Sequence, residues 1–390
     1  MKKKIIDLGM HPYADTFINK NQLNLPEPIY PLECYLDLNS SLISLGIETN
    51  PDERYNLYDY SYTSSNSEYS KNYWNNYAVD VNEILNSNET LKTLEIGSND
   101  GYLLSQFKIL GHDTLGIDSS ELMNKVAREN GIKSLCGIFN FEYSKSIKKE
   151  FNNFDLIVAN NVFNHANDPF DFVKGVKNIL RSDGVFIFEV PYWFDTIKDK
   201  RFDQIYHEHV SYFTVKSAVN VLKKEGLNVY KVEHTEYHGG SIRVFSSIYP
   251  NEVQKSVKKF IQQEEKFGLF DDIFYVKYIN DIKTLRANSL IEINKIILKG
   301  KPIIAVGAAA KGNTLLNYYG LNNTIIDYVT DSSIHKIGKF TPLSRIPILS
   351  DQEVFSKYDE VCALILSWNI SDILKKKLIK INPNIEFINL

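Results

Sequence analysis

The chain has 390 residues, 24% of them charged and 43% hydrophobic, with a formal net charge of −4. That length exceeds one ordinary core and predicts two or three domains of roughly 100–200 residues each. The slight acidity leaves no basic footprint for nucleic acid, and no apolar run approaches the roughly 18 residues needed to span a bilayer, so neither nucleic acid nor membrane is an expected partner.

Cys34, Cys136 and Cys362 are too scattered for a disulfide framework or a cysteine-rich metal site. Met1–Asp7 is charged but lacks the apolar core of a secretory signal, so a cytoplasmic protein is expected. Residues 1–75 are rich in Tyr, Asn and Ser, with prolines at 12, 26, 28, 31 and 51, and read as a small leading module of loops and short strands. From about residue 76 a helical stretch leads into an apolar strand at Thr93–Ile96, a glycine turn, a helix and a second strand at Thr114–Ile117. Further strands follow at 154–159 and 184–190. This alternation predicts an α/β domain with a mainly parallel sheet over 76–250. From Asn251 to Lys299 apolar and charged residues recur at helical spacing, interrupted only by Gly268, which predicts a long helix or helix pair as connector. A buried strand at Pro302–Val306, a small-residue turn and a helix then open a second α/β unit, completing a domain over 251–390.

The segment LEIGSNDGYLL, Leu94 to Leu104, places Glu-x-Gly-x-x-x-Gly between strand and helix. Gly97 and Gly101 permit close backbone approach, and the helix start offers unpaired N–H groups. A dinucleotide turn would read Gly-x-Gly-x-x-Gly and meet a pyrophosphate. Here Glu95 and Asp100 flank Asn99 in the turn, and carboxylates repel a diphosphate but suit the sulfonium and ammonium charges of S-adenosylmethionine. Asp118 ends the next strand, where an acid can accept ribose hydroxyls. The alternative is a glycine turn with no ligand.

The densest chemistry lies in FDQIYHEHVSYF, residues 202–213. Tyr206, His207, Glu208 and His209 place several proton-handling groups within four residues. A strand would put Tyr206 and Glu208 on one face and both imidazoles on the other, whereas a loop could bring them together. His-Glu-His lacks the i, i+4 spacing of a helical zinc site, leaving a hydrogen-bonded structural cluster as the main alternative. His165 follows a strand of the same sheet and is expected to face the ligand crevice. In HGGSIRV, His238 precedes a glycine pair and Arg243 could pair with phosphate or carboxylate, or the segment could be a hairpin with an exposed Arg. In GAAAKGN, small residues open a helix and Lys311, with Asn313 beyond it, suits a phosphate-bearing ligand, or the turn could be close packing alone. The segment lacks the Lys-Ser/Thr ending of a nucleotide-hydrolysing loop.

In order, LEIGSNDGYLL, IYHEHVSYF, HGGSIRVF and VGAAAKGNTLLNYYG closely resemble the S-adenosylmethionine-dependent sugar C-methyltransferases of deoxysugar biosynthesis. LGMHPYADTF and IDYVTDSSIHKIGKF extend the resemblance over most of the chain. It implies a Rossmann-like S-adenosylmethionine methyltransferase domain, a second α/β domain and a small N-terminal module. A nucleotide-diphosphate keto-deoxysugar would lie between the two larger domains. It also implies His209 as the base, with Tyr206, Glu208 and His165 positioning the sugar or sharing the proton. The family's N-terminal module carries a four-cysteine zinc site; here the first CxxC is missing and Asp37 and Ser40 stand where a later pair would fall, so no zinc is expected.

The expected reaction is deprotonation beside the sugar ketone by His209 and attack of the enolate on the methyl group of S-adenosylmethionine. The alternatives are O- or N-methylation of a nucleotide sugar, and an NAD-dependent nucleotide-sugar oxidoreductase or epimerase using the Gly307 turn.

Overall fold

A computed structural model describes residues 1–50, 63–65, 67–85 and 89–388; Pro51, counted with the leading module above, lies outside them. Among the described residues the strands form three sheets. The first is antiparallel, in the order β1 (Lys2–His11), β2 (Tyr30–Asp37), β3 (Ile43–Leu45) and β9 (Ser211–Tyr212). Its opening strands are longer than the expected loops and short strands. In β1 the apolar Ile5, Ile6 and Leu8 turn inward while lysines and Asp7 face solvent, with a bulge after Lys4. Asp37 and Ser40 close the turn after β2: the Ser40 hydroxyl donates to the Asp37 carboxylate at 2.9 Å, and the Asn39 N–H does so at 3.1 Å.

The second sheet has seven strands in the order β10-β11-β8-β7-β4-β5-β6. They are β4 (Lys92–Ile96), β5 (Asp113–Asp118), β6 (Ser134–Cys136), β7 (Phe154–Asn160), β8 (Leu180–Pro191), β10 (Asn228–Thr235) and β11 (Ser241–Ser247). All pairings are parallel except those of β11, which runs against both neighbours. The strand order reverses at β4 and β7, which opens a crevice beyond their carboxyl ends. The helix that opens this layer runs Glu68–Leu85, earlier than the expected boundary at 76, because Trp74, Tyr77 and Val81 bury against Leu103, Phe107 and the sheet. The connector is a helix pair, Lys255–Phe267 and Asp272–Leu298, broken at Gly268 in the left-handed region.

The third sheet is fully parallel, β14-β13-β12-β15-β16, with β12 (Ile303–Val306), β13 (Tyr328–Thr330), β14 (Ile348–Leu349), β15 (Val361–Ile365) and β16 (Ile385–Ile388). It reverses order at β12 and β15, giving a second crevice. No helix among the described residues is long and apolar enough to cross a membrane.

The sheets are joined by the segment that follows β8. Trp193 donates its backbone N–H to Phe213 at 3.0 Å, and its indole N–H reaches the Tyr275 hydroxyl at 2.9 Å. Its ring is 1% exposed and packs on Tyr212 of β9. Trp193→Ala is expected to cost about 3–5 kcal/mol, read as a lowered urea midpoint at unchanged slope. A loss below about 1 kcal/mol would remove this indole as the joint between the helix pair and the sheets.

Candidate active site

Both crevices open into one cleft of about 1290 Å³. On the side of the seven-stranded sheet its wall is the turn after β4. Gly97 has φ +74°, and a Cβ there would fall within 2.6 Å of Val162, so the turn admits only glycine without movement. The Gly97 N–H donates to the carbonyl of Ile117 at 2.7 Å. The Asp118 carboxylate accepts the N–H of Asn99 and that of Ser120, both at 2.8 Å. Glu95, Gly97, Asn99 and Asp118 all line the cleft.

Glu95 is 5% exposed, and its Oε2 has no hydrogen-bond partner. Burial, reinforced by Asp100 and Asp118, raises its pKa well above the ordinary carboxylate range. A buried carboxylate with a vacant acceptor is costly alone and is relieved by a cationic or donor-bearing ligand. The residues present therefore fit a donor that carries an ammonium and a sulfonium.

Two residues expected in this wall are turned elsewhere. Asp100 does not line the cleft; its carboxylate accepts from Ser65 N–H at 3.0 Å, from Ser65 Oγ at 2.6 Å and from Ser64 Oγ, holding that strip of chain on the turn. Gly101, at φ +77°, starts the helix Tyr102–Ile109 and packs against Ala127 and Ile132.

The opposite part of the cleft is built on residues 202–210, a 3-10 turn at Phe202–Gln204 followed by a loop. The N–H of His209 donates to the carbonyl of Tyr206 at 3.0 Å, and this turn brings the two rings to 3.9 Å between centroids. His209 Nδ1 lies 3.0 Å from the carbonyl of Gln204, which can only accept, so Nδ1 carries the hydrogen. Burial, with the Lys311 charge nearby, lowers the imidazole pKa to about 3. The neutral ring therefore presents a lone pair on Nε2, which accepts the Tyr206 hydroxyl at 2.6 Å. His165 stands beside it, 5.1 Å between ring centroids.

Glu208 also lines the cleft, and its carboxylate is tied to the N-terminal module by Asp15 N–H at 2.9 Å and Ala14 N–H at 3.3 Å. Burial raises its pKa to about 7. His207 points away, between the carbonyls of Pro12 and Pro31.

His238 lines the cleft with φ +55°, and burial lowers its pKa to about 3. Lys311 lines it as well, held by the Asn369 side chain and set 4.1 Å from the centre of the Trp368 ring. Burial lowers its pKa to about 8. Sequence reasoning singled out none of Trp368, Asp203 and Arg201, whose contacts form only across the fold. The Trp368 indole donates to Asp203 at 2.6 Å, and the Arg201 guanidinium stacks 3.5 Å from the ring centre.

Arg243 and Asn313 do not reach the cleft. Arg243 is 4% exposed and donates to Glu189 at 2.9 Å with its guanidinium over Tyr77, so it neutralises a buried strand carboxylate rather than a ligand. Asn313 is 1% exposed, and its amide donates to the carbonyl of Ala14 at 2.6 Å, fastening the C-terminal layer to the N-terminal module.

A seven-stranded sheet with one reversed strand, a glycine turn after β4 and an acid ending β5 defines an S-adenosylmethionine-dependent methyltransferase. Residues 70–232 match the family described as a methyltransferase domain, and 236–388 match the C-methyltransferase C-terminal domain. The chain is 28% identical over 370 residues to the C-methyltransferase NovU of Streptomyces niveus, covering 94% of this chain and 87% of that one. Solved structures include an S-adenosylmethionine-dependent methyltransferase from Clostridium acetobutylicum, 16% identical, covering 48% of this chain and 94% of that one at a TM-score of 0.37. Another is the magnesium protoporphyrin IX methyltransferase of Synechocystis, 11% identical, covering 45% and 82% at a TM-score of 0.36. The chain is an S-adenosylmethionine-dependent methyltransferase whose C-terminal part matches the C-methyltransferase C-terminal domain.

Glu189→Ala removes the buried partner of Arg243, leaving the more exposed Asp80 and Glu233 at 3.9 and 3.8 Å, and is expected to cost about 3–5 kcal/mol in denaturant unfolding. An unfolding free energy within about 1 kcal/mol of the parent would contradict the structural assignment of Arg243.

Proposed function

We propose that the chain methylates a carbon of a nucleotide-linked keto-deoxysugar, with His209 removing the proton beside the ketone. The observation that carries this reading is the pair formed by a neutral His209 and the Tyr206 hydroxyl at 2.6 Å, set in the cleft that also holds the donor cradle. A ketone needs both parts to form an enolate: a base at the neighbouring carbon and a proton donor at the oxygen. When a ketone oxygen takes over the Tyr206 hydroxyl, Nε2 is left without its donor and faces the adjacent C–H. The Gln204 carbonyl keeps the other nitrogen protonated throughout. Burial makes the imidazole on its own a weak base, and negative charge building on the enolate oxygen beside it offsets that penalty.

Glu95, Asn99 and Asp118, with the Gly97 turn, would hold S-adenosylmethionine, which supplies an electrophilic methyl group on a positively charged sulfur. Glu208 keeps the loop against the Ala14–Asp15 backbone, and His165 packs on the face of His209. The relative from Streptomyces niveus, a C-methyltransferase by name, supports transfer to carbon. The sugar and its nucleotide rest on the family resemblance and on a cleft too large for the donor alone.

The decisive test incubates the protein with labelled methyl donor and a panel of nucleotide keto-sugars, then reads product mass and the methyl resonance. His209→Asn is expected to lower turnover about 100- to 10,000-fold and to abolish donor-independent exchange of the sugar proton with deuterated water, while binding of S-adenosylhomocysteine is kept. Near-normal turnover or exchange in that variant removes His209 from the role. Asp118→Ala is expected to weaken S-adenosylhomocysteine about tenfold or more by calorimetry, and unchanged affinity would place the ribose elsewhere.

A further inference from the structure

Along the cleft wall one short piece of chain, Asn160 to His165, runs from the donor cradle to the base. β7 pairs with β4 at the reversal of strand order and ends at Asn160. The next residue, Asn161, leaves the strand at φ +54°, in the left-handed region that few residues besides glycine, asparagine and aspartate enter. The bend is fixed, because the Asn161 N–H donates to the carbonyl of Glu189 on β8 at 2.7 Å. On one side Val162 packs where a Cβ at Gly97 would fall, so the bend adjoins the cradle. On the other side the His165 N–H donates to the Val162 carbonyl at 2.9 Å, and the His165 ring lies 5.1 Å from that of His209. Asn161, Val162 and His165 all line the cleft. The Asn161 Oδ1 is buried and has no hydrogen-bond partner among the described residues. An unmet buried acceptor on a bent backbone beside a ligand crevice is costly to the protein alone and points to a group supplied by the ligand.

We propose that the Asn161 side-chain oxygen faces the sulfonium of S-adenosylmethionine and the methyl carbon on it, and so aims the methyl at the carbon beside His209. This rests on the reading of His209 as the base for its direction and adds the residue that orients the donor. A methyl on a positively charged sulfur has polarised C–H bonds, and an amide oxygen can accept them in C–H···O contacts. The sulfur loses its charge as the methyl leaves. A carboxylate at this point would therefore hold the donor more tightly than the transition state, whereas a neutral amide oxygen avoids most of that loss. The cradle leaves this task open: the vacant oxygen of Glu95 suits the ammonium, and Asp118 suits the ribose. The sulfonium then falls to the residue between the cradle and His165.

Calorimetry on the full chain with S-adenosylmethionine and S-adenosylhomocysteine tests this, because the two ligands differ only in the methyl and the charge it brings to sulfur. Asn161→Gly removes the amide and keeps the left-handed backbone free of strain. The expected result is S-adenosylmethionine bound about fivefold weaker or more, with S-adenosylhomocysteine within about twofold of the parent. Asn161→Asp has the same shape and also tolerates the left-handed region. Measured at about pH 8, where its carboxyl is ionised, it is expected to shift the preference toward S-adenosylmethionine by about threefold or more. Equal losses for both ligands in Asn161→Gly, or no change in either, overturn the contact and leave the reading of His209 standing. If Asn161→Gly fails to fold, Asn161→Asp alone decides, and an unchanged preference between the two ligands overturns the proposal.

Discussion

The carbonyl of Gln204 holds the hydrogen of His209 Nδ1, and the chemistry proposed for the cleft depends on that one bond. With Nδ1 committed, the basic nitrogen can only be Nε2, and its only orientation is toward Tyr206. For such a bond to select one tautomer, the loop carrying both partners must not move. Three layers pin it. Glu208 is bound to the backbone at Ala14 and Asp15, β9 pairs with β3, and the Ile205 carbonyl accepts from Thr314 at 3.2 Å. Each of these contacts joins residues at least 100 positions apart in sequence or two different sheets, so the rigidity of a nine-residue loop is a property of the whole chain.

Charge in the cleft is segregated by the same architecture. Acids gather where the seven-stranded and five-stranded sheets end, at Glu95 and Asp118 on one and at Asp331 with Asp15, beside the Lys336 ammonium, on the other. Between them lie buried imidazoles at His209 and His238, both kept neutral by desolvation, and the Lys311 ammonium. In the proposed reaction a low-dielectric middle beside the Lys311 cation would favour an anionic intermediate over the neutral ketone.

The alternation of strands and helices was readable because parallel strands buried on both faces appear as apolar runs, as in FDLIVA and GVFIFEV. The acid-flanked glycine turn was readable because Glu95, Gly97 and Asp118 are local to one strand–turn–helix–strand unit. Arg243 was not placed by the sequence for the opposite reason: its partner Glu189 lies 54 residues earlier, and a sequence shows an arginine's reach but not its neighbour. Asp100 and Asn313 were likewise taken for ligand contacts, although each satisfies chain segments, at 64–65 and at Ala14, that become adjacent only on folding. The choice between strand and loop for residues 206–209 was invisible until the turn closed, since it is set by the pull of Glu208 on a distant backbone.

Trp368 has a consequence for traffic through the enzyme. Its indole fills the space that glycine leaves at 239, where a Cβ would come within 2.3 Å of the ring, and it is gripped by Asp203 below and Arg201 above. Swinging the third sheet away from the second would strip Asp203, 3% exposed, of its indole donor. These contacts latch the two lobes at this edge, so that any opening of the cleft there must first break the Trp368–Asp203 bond.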